Sequence, residues 1–265
     1  MDVNIYQVDA FTNEVFKGNP AGVCITEHGL DEQMMLAIAA EMAVSETAFL
    51  ALDSMQLRWF TPEVEVRLCG HGTLATAHIL QQLGRYNHGD SIAFHTLSGV
   101  LTAELDENCI HINLPAPELN MRAEINPELI KLLGIAPQHI VDYASFDNKQ
   151  LIVIDSEALL TELKPDFSGM IKLAGRGVLV TAKAAKVDVV SRYFAPWVGV
   201  NEDPVTGSAH CALAVYWAEK LNKTRLRAFQ CSRRGGFVDV ELMQSGAVKL
   251  SGQAVTVLQG KMTIA

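Results

Sequence analysis

The sequence has no surplus of positive charge, no C-x-x-C pair, no H-E-x-x-H and no apolar run of membrane-spanning length. Lys and Arg number 21 against 30 Asp and Glu, giving a formal net charge of -9. Nucleic acids and anionic membranes need a basic face to displace counterions, so neither is an expected partner. The short basic pairs Arg225/Arg227 and Arg233/Arg234 read as solvated strand flanks. No uninterrupted apolar stretch approaches the roughly 18 residues of a membrane helix. The opening MDVNIYQVDAFTNE has no basic segment leading into an apolar core, so it does not read as a secretory signal and a cytoplasmic address is expected. Five cysteines, at 24, 69, 109, 211 and 231, form an odd set without C-x-x-C spacing, as reduced thiols do. His71 and His78 stand seven apart with no third ligand in view, so no metal site is expected.

What is present is ordinary for a folded globular chain. Of 265 residues, 49% are apolar and 19% charged, which excludes a largely disordered protein and leaves room for two cores. Period-two or continuous apolar runs predict strands at about 2–9, 21–26, 47–51, 91–95, 99–105 and 109–114. Helical spacing covers 31–43 and 72–83, the latter stopped at Gly84. After Pro115 and Pro117 comes a helix with Asn126 as N-cap, Pro127 first and Gly134 as terminator. The second half repeats the order: strands near 139–145 and 150–155, short helices near 156–163 and 166–174, strands at 177–182 and 187–193, a helix at 207–221, then strands from 227 onward.

Two stretches make the repetition concrete. With a shift of 134 residues, RWFTPEVEV (58–66) and RYFAPWVGV (192–200) share Arg, Phe, Pro, Val and Val. Each leads into a Gly-rich turn and a helix that is small or apolar nearly all round, hence centrally buried. The pattern predicts an internal duplication, with an α+β fold of two similar domains, 1–117 and 118–265, each a curved sheet or barrel around one helix. The last strand is free to return to the first domain.

Three stretches offer chemistry. The turns CGHGT (69–73) and DPVTGSA (203–209) both open a helix, where free amides and the dipole suit a small anion such as a carboxylate. The bland reading is that Gly, Ser and Thr simply cap buried helices. In AVSETAFL (43–50), Glu46 precedes a β-prone apolar run. It is either a salt-bridged or capping residue, or a general acid/base tuned by its surroundings. Cys69 and His71 flank one glycine. They are either a thiol–imidazole pair activated at a helix start, or a buried thiol beside a capping side chain.

GNPAGVCI (18–25), SETAFL (45–50), RWFTPEVEVRLCGHGTLATA (58–77) and NEDPVTGSAHCALA (201–214) resemble, in order and spacing, the motifs of the PhzF-like isomerase family of phenazine biosynthesis. The resemblance implies a fold similar to diaminopimelate epimerase, with two pseudo-symmetric domains and a site between them. It implies a cofactor-free isomerisation in which a glutamate relocates a proton on a cyclic amino-hydroxy acid, trans-2,3-dihydro-3-hydroxyanthranilate in the phenazine enzyme. Residue by residue, it assigns proton transfer to Glu46, polar contacts to His71 and Asp203, and carboxylate binding to Gly207 and Ser208. Asn19, Gly70 and Gly72 complete the expected lining. A small-molecule carboxylate is the implied partner, and a homodimer follows from the commonness of two-fold assemblies.

One departure bears on mechanism. Related epimerases and proline racemases generally use two thiols, one from each Gly-rich turn. Cys69 fits the first position, but the second turn offers Thr206, and Cys211 lies one turn into its helix. Two alternatives stay open from the sequence: a one-thiol epimerase or hydrolase using Cys69, and a non-catalytic protein that only binds a small carboxylate.

Overall fold

The structure, a computed structural model, describes residues 2–264. In chain order the elements are β1 (Asp2–Ala10), β2 (Asn19–Thr26), α1 (Glu32–Met42), β3 (Glu46–Ala51), β4 (Gln56–Phe60), β5 (Glu65–Val66), α2 (Gly70–Gln82), β6 (Ser91–Thr96), β7 (Gly99–Leu105) and β8 (Ile110–Pro115). There follow α3 (Pro127–Leu133), β9 (Ile140–Phe146), β10 (Lys149–Ile154), α4 (Glu157–Glu162), α5 (Phe167–Met170), β11 (Val178–Lys183), β12 (Val189–Ala195), β13 (Val200–Asp203) and α6 (Gly207–Leu221). The chain closes with β14 (Arg225–Gln230), β15 (Gly236–Leu242), β16 (Ala247–Gly252) and β17 (Ala254–Thr263). Two compact units emerge: Met1–Leu114 with Lys249–Ala265, and Pro115–Val248.

Within the first unit the hydrogen-bonded succession runs β17-β1-β2-β3-β4-β6-β7-β8, with β5 also on β4. β1–β2 is antiparallel, β2–β3 parallel, β3–β4 and β4–β5 antiparallel, β4–β6 parallel and β6–β7 antiparallel. The second unit repeats every one of these senses, with β9 to β15 in place of β1 to β7. The fold is α+β, and the duplication predicted from nine residues extends through the whole topology.

Each unit centres on its glycine-led helix. In α2 the positions Gly70 to Ala77, then Ile79 and Leu80, are buried, and the helix packs on β1, β2, β3, β7 and β17. Fully burying side chains such as Leu74, Ile79 and Leu80 contributes about 1.5–3 kcal/mol apiece. α6 is buried from Ala209 to Ala214 and again at Tyr216 to Ala218, against β14 and β15. Away from this helix, Val3, Ile5, Met35, Ile38, Phe49 and Phe60 form one apolar cluster of the first unit. Leu133, Ile152, Leu160, Met170, Val180 and Phe194 belong to the corresponding cluster of the second.

The repeated RWF and RYF stretches are the same brace built twice. Arg58 on β4 donates from Nε and Nη2 to Glu65 at 2.7 and 2.6 Å, with its guanidinium 5.0 Å over the Phe60 ring. Arg192 on β12 donates from Nε and Nη2 to Glu202 at 2.7 and 2.9 Å, with its guanidinium 4.9 Å over Phe194. Phe60 pairs with Glu65 across the ladder as Phe194 pairs with Glu202. The structural equivalence therefore begins at a shift of 134 and becomes 137 by the second strand, because a 3-10 turn at Pro196–Val198, ended by Gly199 at φ 82°, lengthens the connection. The straight overlay of 58–66 on 192–200 misplaces this last part.

Most expected elements stand within a residue or two of their predicted bounds, α6 on both. The helix expected at 166–174 is shorter, covering Phe167–Met170. Beyond Ile171 the amides of Lys172 and Leu173 turn back to the carbonyls three residues before, Gly169 and Met170. Such tighter bonds end a helix rather than extend it. Among the described residues no helix is long and apolar enough to cross a membrane.

Candidate active site

In the first unit β3 starts at Glu46, which sits opposite Ala21 of the parallel strand β2. Its strand is buried from Thr47 to Ala51, so Glu46 is the one residue of β3 with access to solvent, at 23% side-chain exposure. Cys69, extended at φ -142° and ψ 102°, is the N-cap of α2, and its Sγ accepts the Gly72 amide at 3.3 Å. The next residues form the first turn and bring the His71 ring over to β3. His71 Nε2 lies 3.3 Å from Glu46 Oε2 and 3.5 Å from Ser45 Oγ. Cys69 Sγ is 3.5 Å from Nδ1 of the same ring. With Nε2–H donated to Glu46, Nδ1 becomes the acceptor facing the thiol.

The glycines have a steric reason. A Cβ on Gly72 would stand 2.9 Å from Cδ1 of Trp59 and 3.0 Å from Cys69 Sγ, so only glycine lets that indole close on the helix start. The Trp59 Nε1 atom beside it is buried without a hydrogen-bond partner, as is Thr47 Oγ1. Leaving such groups unmet costs about 1–3 kcal/mol each, a cost that structures tolerate where polar groups serve another purpose. Asn19 opens β2 two residues before Ala21 and is fully buried, held there by Gly18 at φ 61°. A Cβ on Gly18 would meet the Ala10 carbonyl at 2.1 Å.

In the second unit β13 ends at Asp203, opposite Tyr193. The Thr206 hydroxyl donates to the Asp203 carboxylate, and Gln230 bridges the turn from the other side. Gln230 Nε2 donates to the Asp203 carbonyl at 2.6 Å while its Oε1 accepts the Thr206 amide at 2.9 Å. The bond to Asp203 occupies the Thr206 side chain. α6 is thus the one α-helix among the described residues whose N-cap side chain makes no capping bond; Asp31, Cys69, Asn126, Ser156 and Asp166 all cap theirs. The amides of Gly207 and Ser208 open a helix dipole with no side-chain acceptor on them, the arrangement that suits a carboxylate. Lys149 Nζ donates to Ser208 Oγ at 3.3 Å. Burial pulls this lysine below its usual range, against the opposing charge of Asp147.

Cys69 and Thr206 hold the same place at the head of α2 and α6, and Cys211, inside α6, is pushed up to about 12 by burial. No second thiol stands at the second turn. Trp59 and Tyr193 are core residues, and Met42 and Trp197 pack against the two apolar clusters. Ser45, Lys149 and Gln230 escaped sequence reasoning. Lys149 had a usable signal, since like Glu46 it is a charged residue opening a strand, here one that is buried from Leu151 to Ile154. A concavity of about 790 Å³ in the second unit, lined by Asn120, Arg122, Asp147 and Gln150 among others, contains none of the expected site residues.

The chain matches the model of the family described as phenazine biosynthesis-like protein over residues 8–260. It is 48% identical, over the full length of both chains, to an uncharacterized isomerase of Halalkalibacterium halodurans. The crystal structure of a PhzF-family phenazine biosynthesis protein from Enterococcus faecalis superposes with a TM-score of 0.92 at 40% identity, covering both chains completely. A hydroxyproline epimerase from Agrobacterium vitis shares the fold at 11% identity and a TM-score of 0.65, over 98% of this chain and 92% of its own. A duplicated α+β fold, kept at that similarity along the whole length, leaves one assignment: the chain belongs to the phenazine biosynthesis-like family and is an isomerase.

Proposed function

We propose that the chain relocates a proton on a small carboxylate substrate, amino- or hydroxy-acid-like, without a cofactor, and that Glu46 is its general acid/base. The observation that supports this best is the Glu46–His71 contact of 3.3 Å at the solvent-accessible head of a buried strand. The Glu46 carboxylate takes a proton from a substrate carbon, becoming a carboxylic acid as the electron pair shifts along the substrate. While held on the carboxyl the proton exchanges with water, and a proton is then returned to a different carbon. The proton count is conserved, and the net change is isomerisation. His71 and Asp203 hold polar substituents, the amides of Gly207 and Ser208 anchor the carboxylate with Lys149 behind them, and Asn19, Gly70 and Gly72 provide close-fitting walls.

The test is incubation in heavy water with dihydro-hydroxyanthranilate and a panel of amino-hydroxy acids, reading deuterium incorporation by mass spectrometry. The wild type is expected to incorporate deuterium, and Glu46→Gln to lose exchange while keeping ligand binding. Undiminished exchange in Glu46→Gln removes Glu46 from the role. Binding without exchange in the wild type favours a non-catalytic carboxylate binder.

A second reading rests on Cys69. Its sulfur accepts an amide at a helix start and lies 3.5 Å from an imidazole nitrogen, two features that favour a thiolate base. It predicts that Cys69→Ser, rather than Glu46→Gln, abolishes exchange.

A further inference from the structure

The hairpin joining β7 to β8 brings together three side chains that the proton-transfer chemistry does not use. Asp106, Cys109 and His111 each offer a ligand atom, and these atoms lie within 4.8 Å of one another. The turn is tight: the Asp106 amide donates to the Cys109 carbonyl at 2.9 Å, so the two residues face each other across Glu107 and Asn108. Cys109, just before β8, and His111, its second residue, are two apart and bring the thiol within 3.5 Å of the ring.

The distances from His111 Nε2 to the other two groups are close to those of a zinc-type ion. Bond lengths of about 2.3 Å to sulfur and about 2.0–2.1 Å to nitrogen and oxygen place tetrahedral ligands about 3.5 Å (N to S) and about 3.3 Å (N to O) apart. Cys109 Sγ is 3.5 Å from His111 Nε2, and Asp106 Oδ2 is 3.7 Å from the same nitrogen. His111 Nδ1 is bonded to Ser251 Oγ of β16 at 2.7 Å, which fixes the ring and leaves Nε2 for a metal; Cys109 Sγ lies nearer to Nε2 than to Nδ1, at 3.5 against 3.9 Å. An outer partner of this kind orients metal-bound histidines generally. Asp106 Oδ1 accepts the Glu107 amide at 2.7 Å, again leaving Oδ2 for the cluster. Its backbone carbonyl takes a bond from His88 Nδ1 at 3.0 Å.

We propose that Asp106, Cys109 and His111 bind a zinc-class divalent cation, with Ser251 positioning the histidine and water filling the fourth place. Thiolate and imidazole together select borderline and soft ions over magnesium or calcium. Spacing-based reading of the sequence expects no metal site because it finds no C-x-x-C, no H-E-x-x-H and no third ligand beside His71 and His78. The hairpin turn and Ser251, 140 residues further on, supply what the spacing does not show.

The experiment is titration of the reduced full-length protein with cobalt(II), followed by absorption, and with zinc(II), followed by calorimetry. Cys69, with Glu46 and His71, forms another cluster of possible ligands, so the titrations are repeated in Cys69→Ser. One equivalent of cobalt with tetrahedral ligand-field bands and a thiolate-to-cobalt charge-transfer band is expected in both proteins. Cys109→Ser should abolish the charge-transfer band, His111→Gln should weaken binding at least tenfold, and Ser251→Ala should weaken it by about tenfold. Circular dichroism of the metal-free variants checks that each is folded, as substitutions at a partly exposed hairpin should be. Absence of a thiolate–cobalt band in the wild type, or its persistence in Cys109→Ser, overturns the assignment.

Discussion

Nε2 of His71 stands 3.3 Å from the carboxylate of Glu46, joining the first turn of one buried helix to the first residue of a buried strand. If that carboxylate moves the proton, Glu46→Gln lowers the deuterium-exchange rate by at least about 100-fold, the low end of general acid/base contributions. Its dissociation constant for a carboxylate ligand should change far less. Mass spectrometry for exchange and calorimetry for binding check the two halves separately.

Cys69 caps α2 through its sulfur, and Thr206 replaces it at the head of α6. Serine can also cap, so Cys69→Ser should fold and retain exchange within about tenfold, given that a cap is exchanged for a cap. A loss as large as that of Glu46→Gln would transfer the proton to the thiol. Alkylation with iodoacetamide gives an independent measure through the rate of inactivation.

Lys149 presents its ammonium to Ser208 at 3.3 Å, next to the uncapped start of α6. Lys149→Met keeps the length of the chain and removes the charge. Carboxylate binding should weaken by about tenfold or more, as charge-assisted hydrogen bonds are worth about 1.5–3 kcal/mol. A neutral amide analogue of the same ligand should lose little, and equal losses for both would show that the lysine merely supports the fold.

His210 donates from Nδ1 to the Thr206 carbonyl at 2.8 Å, while its Nε2 is fully buried without a partner. Protonation would place an unmet N–H⁺ in the core, and burial accordingly lowers the imidazole from 6.5 to about 4. Above pH 6.5 the residue is neutral whether folded or unfolded and has no effect on pH dependence. Between 6.5 and 4 the unfolded chain takes up the proton first, so stability falls as the pH falls. The total is on the order of 3 kcal/mol, from the shift of 2.5 between those two values at about 1.4 per unit. Urea unfolding at pH 7 and pH 4.5 should show His210→Asn losing less stability than the wild type over that interval.

Arg58 and Arg192 each close a brace that is largely buried, with 21% and 11% of the side chain exposed. Removing either guanidinium strands a glutamate that is itself mostly covered. Arg58→Met and Arg192→Met should each cost about 3 kcal/mol, the low end for breaking a buried pair. Arg192→Met should show the larger shift in denaturation midpoint, because Arg192 Nη1 also donates to the Leu163 carbonyl at 2.7 Å, whereas the further partner of Arg58 is the exposed Glu32.

The sequence was legible wherever a local rule carried the information. Asn126, Pro127 and Gly134 mark α3 as capping preferences predict, and the small-residue runs after Gly70 and Gly207 announced two central helices. The Arg-x-Phe stretches disclosed the duplication because ladder register and an ion pair repeat together. Less was visible where partners are far apart in the chain. Gln230 reaches the turn at Asp203 across 27 residues, and Lys149 meets Ser208 across 59. Nothing local marks either residue as a partner. Cys69 and His71 were visible as a pair, but their shared orientation toward Glu46 depends on how β3 meets α2.

The paired brace has a consequence for how such a chain can change. Each guanidinium ties a short strand to its neighbour just before a glycine-led helix, and the tie lies outside the residues that begin that helix. The support of the turn is thereby separated from its chemistry. One copy carries a thiol at the head of its helix and the other a hydroxyl, on the same frame. A duplicated scaffold of this sort can keep its geometry while one half diverges, so that new reactivity is gained by altering a single cap residue rather than rebuilding a fold.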